Sequence, residues 1–207
     1  MGAGGRRAKP ALGPLAMHLV HTVLHNAHVR LEPLIEAYRE PLRQPAMADP
    51  LTWRHWPRDM IGDGWDAQFD WQLAEQAEGR WMLHAVVAPN GAAVGQSCYL
   101  AIRPEHAGVE IGGTWYGPDV RGGTINPAAK LLLLGHAFTC GAERVELKTD
   151  SENARSRAAM LKMGATFEGI HRRHMRRPDG GWRDTASYAV LREDWPRVAA
   201  GLETRLA

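Results

Sequence analysis

Short segments of the chain alternate apolar and polar residues, which is the pattern of half-buried strands. The first is AHVRLEPL, which ends at Pro33. A meander follows, made of WMLHAVV, AAVGQSCYLAI and VEIGGTWYG, with the hairpin signal Asn90-Gly91 between the first two. Alternation returns in RVELKTD and in a closing hairpin of TFEGIHRRHMRR, PDGG and WRDTASYAVL. The pattern therefore predicts a sheet of mostly antiparallel strands.

Helical spacing of apolar residues predicts two helices before the meander. IEAYREPLRQ is expected to form a short helix that stops at Pro41. Asp63 to Gly79 is expected to form a longer helix, with Trp65 and Phe69 on its apolar stripe and Gly79 as its stop. The segment between the two helices is rich in Pro, Gly and Asp, so it is predicted to be mostly loop.

Residues 113–138, GTWYGPDVRGGTINPAAKLLLLGHAF, predict a strand, a glycine-bearing loop and a helix. Asn126 is expected to cap the helix and Pro127 to be its first residue, where the missing N–H costs nothing. Gly141 is expected to end it. Because RVELKTD follows, this strand–helix–strand unit predicts one parallel pair within a mixed sheet.

The loop before this helix has the chemistry of an anion site. First-turn amides have no partner inside a helix, and the helix dipole adds positive potential there. Gly122 and Gly123 let the backbone turn its N–H groups inward, and Arg121 adds a charge. The loop is neither a P-loop nor G-x-G-x-x-G, and many such helix starts bind nothing. A diphosphate site and an ordinary helix start are both open interpretations.

Two neighbouring features favour the ligand site. Gly112-Gly113 interrupts a good strand, where glycine indicates a bulge or a close backbone approach. ENARSRAAMLKMG predicts a helix that is capped by Asn153 and stopped by Gly164. Its first turn places Asn153 and Ser156 near the carboxyl end of the parallel partner strand, where ligands of open sheets bind.

Composition and length limit the possible domain organisation. The chain has 207 residues, 44% hydrophobic and 23% charged, with a net charge of +2. These values fit one soluble domain, residues 25–207, after an N-terminal extension, residues 1–24, that is expected to be flexible. Pro14, His18 and His21 interrupt its apolar run, which argues against a signal peptide.

The two cysteines, Cys98 and Cys140, lack a metal-binding spacing or a nearby base motif and are expected to be core thiols. They indicate a reduced, cytoplasmic protein. No apolar run is long enough to span a bilayer.

Taken together, these pieces resemble the GNAT superfamily of acyl-CoA-dependent N-acyltransferases. They are most similar to the branch that contains the ribosomal-protein-alanine N-acetyltransferases. The resemblance covers Val29 to Pro196 and rests on VRLEPL, on residues 109–138, on RVELKTDSENARSRAAMLKMGA and on EGIHRRHMRRPDGGWRDTASYAVLREDWP. It implies the α/β GNAT fold, a mixed and mostly antiparallel sheet with a central splayed parallel pair flanked by helices.

The resemblance also implies acetyl-CoA as cosubstrate, with no metal. The pantetheine arm would enter between Glu110–Tyr116 and Arg144–Thr149. The family loop reads Q/R-x-x-G-x-G/A; here Arg121 matches its first position, while Thr124 and Asn126 replace small residues. The cofactor-binding residues implied are Thr114, Trp115, Tyr116, Arg121, Gly122, Gly123, Thr124, Ile125, Asn126, Asn153 and Ser156.

Family chemistry implies direct attack of a free amine on the thioester, with a carboxylate as base. Glu110 and Glu146 both point away from the apolar faces of their strands, and Asp184 is a third candidate. Glu110 is favoured, although a salt-bridged glutamate is an equal interpretation for either strand residue. Ser156 would protonate or hydrogen-bond the leaving thiolate.

Other interpretations stay open. The acceptor is expected to be a protein N-terminus, such as ribosomal-protein alanine, or a small amine, and a homodimer is left open. A non-catalytic acyl-CoA-binding regulatory module would keep the same fold. HRRHMRR, residues 171–177, is basic and suggests an RNA-associated protein, but such runs are usually solvated surface. No membrane partner is expected.

Overall fold

The computed structural model describes residues 17–207, which form one mixed sheet with helices on both faces. The strands are β1 Leu24–His25, β2 Arg30–Pro33, β3 Met82–Val87, β4 Ala93–Arg103, β5 Gly108–Tyr116, β6 Arg144–Asp150, β7 Thr166–Arg176 and β8 Trp182–Leu191. The helices are α1 Arg39–Met47, α2 Asp63–Ala77, α3 Ile125–Thr139, α4 Ala154–Met163 and α5 Trp195–Thr204. The strand order is β1-β2-β3-β4-β5-β6-β8-β7, and only β5 and β6 pair in parallel. The predicted fold class is confirmed.

Side chains alternate between two cores, one on each face of the sheet. Val109 and Ile111 of β5 lie on the face covered by α3, α4 and α5, beside Leu133 and Leu134 of α3. The opposite core consists of Leu42 and Ala46 of α1, Trp65 and Phe69 of α2, and Leu83, Ala85 and Cys98 of the sheet. β5 therefore lies between two packed layers, and its conformation is controlled from both sides.

Several predicted boundaries differ from the structure. The prediction that the first helix stops at Pro41 is wrong, since α1 continues to Met47. Pro41 is the third residue of α1, where its missing N–H has no partner to lose. The sequence patterns did not identify β1 or α5, although α5 buries Val198 and Leu202. In the described residues, no helix is both long and apolar enough to cross a membrane.

The N-terminal extension falls partly outside the described residues, which begin at Met17. Residues 17–24 lie against the domain, and Met17 is buried. Three histidine rings fasten this segment through Nε2–H donors: His21 to the Leu83 carbonyl, His84 to the Thr22 carbonyl and His136 to the Val20 carbonyl. The segment is thus held by side chains from β3 and α3 and by its own His21.

The burial of His84 predicts acid sensitivity. Burial, with a smaller contribution from His21, lowers the pKa of His84 from 6.5 to about 3. The ring is therefore neutral in the fold, so its stabilising contribution is complete above pH 6.5 and declines as pH falls toward 3. We expect the free energy of unfolding to drop by about 1.4 kcal/mol per pH unit between these limits. Urea unfolding at several pH values would measure this slope.

A His84→Leu variant should flatten that slope. The exposed His106 supplies the control, since His106→Gln should leave the slope unchanged. Equal slopes in the wild type and the His84 variant would contradict the assignment of the acid sensitivity to His84.

Candidate active site

The two parallel strands pair over three residues and then separate. Gly108 pairs with Arg144, Val109 with Val145 and Glu110 with Glu146. Beyond that point β5 runs to Tyr116 and β6 to Asp150 without pairing to each other. The predicted splay is confirmed, and it leaves an opening between the carboxyl ends of the only parallel pair in the described sheet.

A β-bulge lies in β5 at this opening. Cys98 pairs with Gly112 and Gln96 with Trp115, so β5 has one residue more than β4 over this stretch. Gly113 has a φ of 55°, and a Cβ there would lie 2.8 Å from Cys98 Sγ. Only glycine fits this position. The predicted bulge at Gly112-Gly113 is confirmed.

A row of unpartnered main-chain donors lies in the loop that leads from the end of β5 to α3. The Arg121 N–H donates to the Pro118 carbonyl at 3.2 Å, and the first helical bond of α3 runs from the Ala128 N–H to the Thr124 carbonyl. The five N–H groups of residues 122–126 have no acceptor among the described residues. Gly122 has a φ of 78°, which allows this turn of the backbone.

The start of α3 differs from its prediction. The helix begins at Ile125 with Thr124 as N-cap, so the predictions that Asn126 caps it and that Pro127 is its first residue are wrong. Thr124 already has near-helical angles, φ −80° and ψ −20°, and its side chain makes no capping bond. Asn126 and Pro127 become the second and third residues. The N–H groups of Ile125 and Asn126 remain free and Pro127 has none to offer, so the predicted donor row is retained up to Asn126.

Arg121 does not present a free charge in the loop before α3. Its guanidinium donates to Asp49 Oδ2 at 2.5 Å, to Thr52 Oγ1 at 2.7 Å and to the Tyr116 carbonyl at 2.9 Å. The predicted charge is therefore already paired. Arg121 instead fastens the segment after α1 to the end of β5.

The start of α4 lies beside this segment. Asn153 caps the helix as predicted, since its Oδ1 accepts from the Ser156 N–H at 3.0 Å. A cleft of about 310 Å³ separates the segment from α4, and it is lined by Asp49, Leu51, Thr52, Arg54, His55, Glu152, Asn153, Ala154 and Arg155. Ser156 is in the first turn of α4 but does not line the cleft.

The side chains of the predicted β5 residues are occupied by the protein. Thr114 Oγ1 accepts from Lys130 Nζ, and the Trp115 ring is buried between Trp53 and Trp65. Tyr116 OH is buried without a partner among the described residues. The Thr114 hydroxyl and the Trp115 ring are therefore engaged by the protein, and the main chain of this stretch is its candidate contact with a ligand.

The two candidate glutamates lie side by side and differ in their contacts. Glu146 accepts from Lys148, Arg103 and Arg144. Burial acts to raise the pKa of Glu146, but these three hydrogen bonds lower it to about 2. Glu110 accepts only from Lys148, at 2.7 Å through Oε2. Its Oε1 has no hydrogen-bond partner among the described residues and lies 3.2 Å from where a Cβ on Gly112 would be.

Asp184 is placed differently from these glutamates. By strand alternation it shares a face of β8 with Ala186 and Tyr188, which belong to the α3 core. Its Oδ1 accepts from the Arg173 N–H at 2.6 Å on β7. This third candidate is thus engaged on the face opposite to Glu110.

A buried lysine is the residue that the sequence patterns missed. Lys130 of α3 is 6% exposed and donates to Thr114 Oγ1 at the bulge, at 2.7 Å. Its position in KLLLL offered a signal, because a charged residue there shares the buried stripe with Leu134 and Ala137.

A second cleft opens between α2 and the β7–β8 turn. It measures about 380 Å³ and is lined by Pro57, Arg58, Asp59, Gly64, Ala67, Gln68 and Pro178. Gln68 is 5% exposed, and its Oε1 has no partner among the described residues. Trp65 Nε1 and Gln72 Nε2, on neighbouring turns of α2, are also buried without a partner in this part of the chain. Such polar atoms indicate contact with water or a ligand.

One group of potential metal ligands occurs in the described residues: His55, Asp150 and Glu152. Arg177 already contacts both carboxylates, with Nη1 2.6 Å from Asp150 Oδ2 and Nη2 3.3 Å from Glu152 Oε2. The guanidinium therefore supplies the positive charge at this place. Arg177 is the last residue of the basic run 171–177; residues 171–176 lie on the exposed edge strand β7, and Arg177 follows it.

Comparison with known proteins identifies a family. The family described as "Acetyltransferase (GNAT) domain" matches residues 28–166. No curated protein matches the sequence. Among solved structures, a candidate acetyltransferase from T. thermophilus is 35% identical, with a TM-score of 0.83, and the match covers 92% of this chain and 100% of that one.

Two further structures extend this similarity. A candidate GNAT-family acetyltransferase from Chromobacterium violaceum is 27% identical, with a TM-score of 0.84, covering 95% of this chain and 100% of that one. Mycobacterium smegmatis RimJ, solved in complex with CoA-disulfide, is 25% identical, with a TM-score of 0.73, covering 88% and 92%.

Proposed function

Because the chain belongs to the acetyltransferase (GNAT) domain family, we propose that it transfers the acetyl group of acetyl-CoA directly to a primary amine. The observation that supports this most is the row of five free N–H groups at residues 122–126, in the loop that follows β5 of the splayed pair. Main-chain donors at a helix N-terminus are suited to a diphosphate. The bound CoA-disulfide of the RimJ structure agrees with CoA as the ligand.

The residues present are suited to two parts of the coenzyme, its pyrophosphate and its pantetheine arm. The donors of residues 122–126 would hold the pyrophosphate, and the first turn of α3 adds its dipole. The pantetheine would pass through the splay between Gly112 and Asp150, bordered by Asn153. Gly113 makes the bulge itself possible, because a Cβ there would lie 2.8 Å from the buried Cys98 Sγ.

Glu110 is the proposed base, acting directly or through one water. Its free Oε1 lies beside Gly112 at the start of the splay, where the thioester would end. It would take a proton from the attacking amine. The amine nitrogen then bonds to the acetyl carbon, the carbon–sulfur bond breaks, and the thiolate takes up a proton, with Ser156 as the proposed donor. Ser156 regains a proton from solvent, and Glu110 releases to solvent the one it took. The products are an acetamide and CoA.

The acceptor would enter through the second cleft, near Gln68. A protein N-terminus and a small primary amine both carry N–H donors. Gln68 Oε1, which has no partner among the described residues, would accept a hydrogen bond from either. A screen of N-terminal peptides, including those that begin with alanine, against small amines would identify the class.

Ligand-induced stabilisation tests the coenzyme assignment. At a hundred times its Kd, acetyl-CoA should stabilise the fold by about 2.7 kcal/mol. For a domain of this size this is a rise in Tm of about 5–10 °C. Adenosine alone should give no rise, because it lacks the diphosphate. Thiol release from acetyl-CoA in the presence of the amine panel then measures turnover. Absence of both stabilisation and thiol release would refute the proposed function.

A further inference from the structure

Lys130 is a buried ammonium without a counter-ion. It is 6% exposed on α3, and no carboxylate of the described residues forms a salt bridge with it. Burying an unpaired charge is costly, and most proteins neutralise such a group or replace it with an apolar one. A residue kept at this cost is a candidate for a role in function.

The contacts of Lys130 lie around the bulge of β5. Lys130 Nζ donates to Thr114 Oγ1 at 2.7 Å and to Ser97 Oγ at 3.4 Å. The two hydroxyls are 2.7 Å apart, and Thr114 Oγ1 also donates to the Gly112 carbonyl at 3.3 Å. Ser97 lies on β4 opposite the bulge, whereas Gly112 and Thr114 flank its central residue, Gly113. The ammonium thus connects the strand residues that shape the bulge.

We propose that Lys130 is a positioning residue for acyl transfer: its ammonium shapes the bulge through Thr114 and places a positive charge behind the site of the thioester. This inference rests on the proposed function. When the amine nitrogen bonds to the carbonyl carbon, the carbonyl electron pair moves to oxygen. Collapse of the adduct re-forms the carbonyl and expels the CoA thiolate. Both negative charges would be stabilised by a fixed cation in a dry environment.

The titration of Lys130 offers an independent readout. Burial lowers the pKa of Lys130 to about 8. The thiol and phenols near Lys130 are neutral: burial and Glu110, which is paired with Lys148, raise the pKa of the Cys98 thiol, and burial raises the pKa of the Tyr99 and Tyr116 phenols. Lys130 is therefore charged below pH 8, and its contribution should be lost as pH rises through about 8.

The test compares the kinetics of thiol release by Lys130→Met and by the wild type. The substrates are acetyl-CoA and hydroxylamine, a nucleophile that is already unprotonated at neutral pH. We expect kcat to fall about 10- to 100-fold, somewhat less than the loss of a direct oxyanion donor. The KM for acetyl-CoA should stay within about threefold, since the charged groups of the coenzyme would be held at residues 122–126 and not by Lys130. The fall in wild-type rate above pH 8 should be absent from the variant. Lys162→Met, at an exposed position on α4, is the matched control.

The free energy of unfolding of Lys130→Met distinguishes a positioning role of Lys130 from a packing role. Lys130→Met should be at least as stable as the wild type, because an unpaired buried charge is removed. Loss of rate together with loss of stability and a raised KM would show a packing role and overturn the inference, as would an unchanged kcat.

Thr114→Val provides a second variant that keeps the charge of Lys130. It should lower kcat by less than Lys130→Met does, and an unchanged kcat would overturn the link through Thr114. A wild-type protein that releases no thiol from acetyl-CoA refutes the proposed function and this inference together.

Discussion

Glu110→Gln is expected to lower kcat by about 10²- to 10⁴-fold, the usual contribution of a general base. Glutamine keeps the size of the side chain and its hydrogen bond to Lys148 but cannot take a proton. The rise in kcat with pH that a base requires should be lost in the variant, while the KM for acetyl-CoA should change little. Steady-state kinetics over a pH series, with an acceptor from the amine screen, would measure both.

Glu146→Gln is the matched control for this experiment. Glu146 pairs directly with Glu110 in the parallel ladder and shares Lys148 with it, but Arg103 and Arg144 also hold its carboxylate. We expect a much smaller effect on kcat and no loss of the pH dependence. If Glu146→Gln were the slower variant, or if Glu110→Gln kept full turnover across the series, Glu110 would not be the base.

Gly122→Val is expected to weaken acetyl-CoA binding by about 10- to 100-fold. Gly122 has a φ of 78°, a conformation that costs other residues about 1–2 kcal/mol and β-branched residues most. A loop that relaxes from this strain would turn the N–H groups of residues 122–126 away from their common target. Calorimetric titration with acetyl-CoA would give the Kd.

Gly79→Val controls for backbone strain. Gly79 has a φ of 72°, also has open space around its Cβ position, and follows α2, far in the chain from the donor row. It should lose a similar amount of stability and keep the wild-type Kd. Equal Kd values for Gly122→Val and the wild type would show that the donor row does not bind the coenzyme.

Most elements and part of the site followed from local sequence. The bulge was predictable because glycine at positions 112 and 113 marks a strand that departs from regular pairing. Asn153 and Gly164 bounded α4 as predicted, since caps depend on a few adjacent residues. The start of α3 was predicted two residues late, because any residue of the first turn tolerates proline and the sequence does not say which turn is first.

Local sequence patterns could not identify the partners of charged side chains. Arg121 meets Asp49, 72 residues away, and so does not offer its charge to the loop before α3. Alternation put Glu110 and Glu146 on the same face, but only the packed sheet showed that Arg103 and Arg144 engage one and leave the other with a free oxygen.

The sequence by itself determined most of the strands and helices, the bulge and the row of free N–H groups, because these depend on backbone conformations that neighbouring residues control. Only the tertiary structure decided which carboxylate is free to act, which arginine is already paired and that a lysine is buried behind the bulge. Those outcomes depend on strand register and on contacts between residues distant in the chain, where burial changes the energy of a charge most.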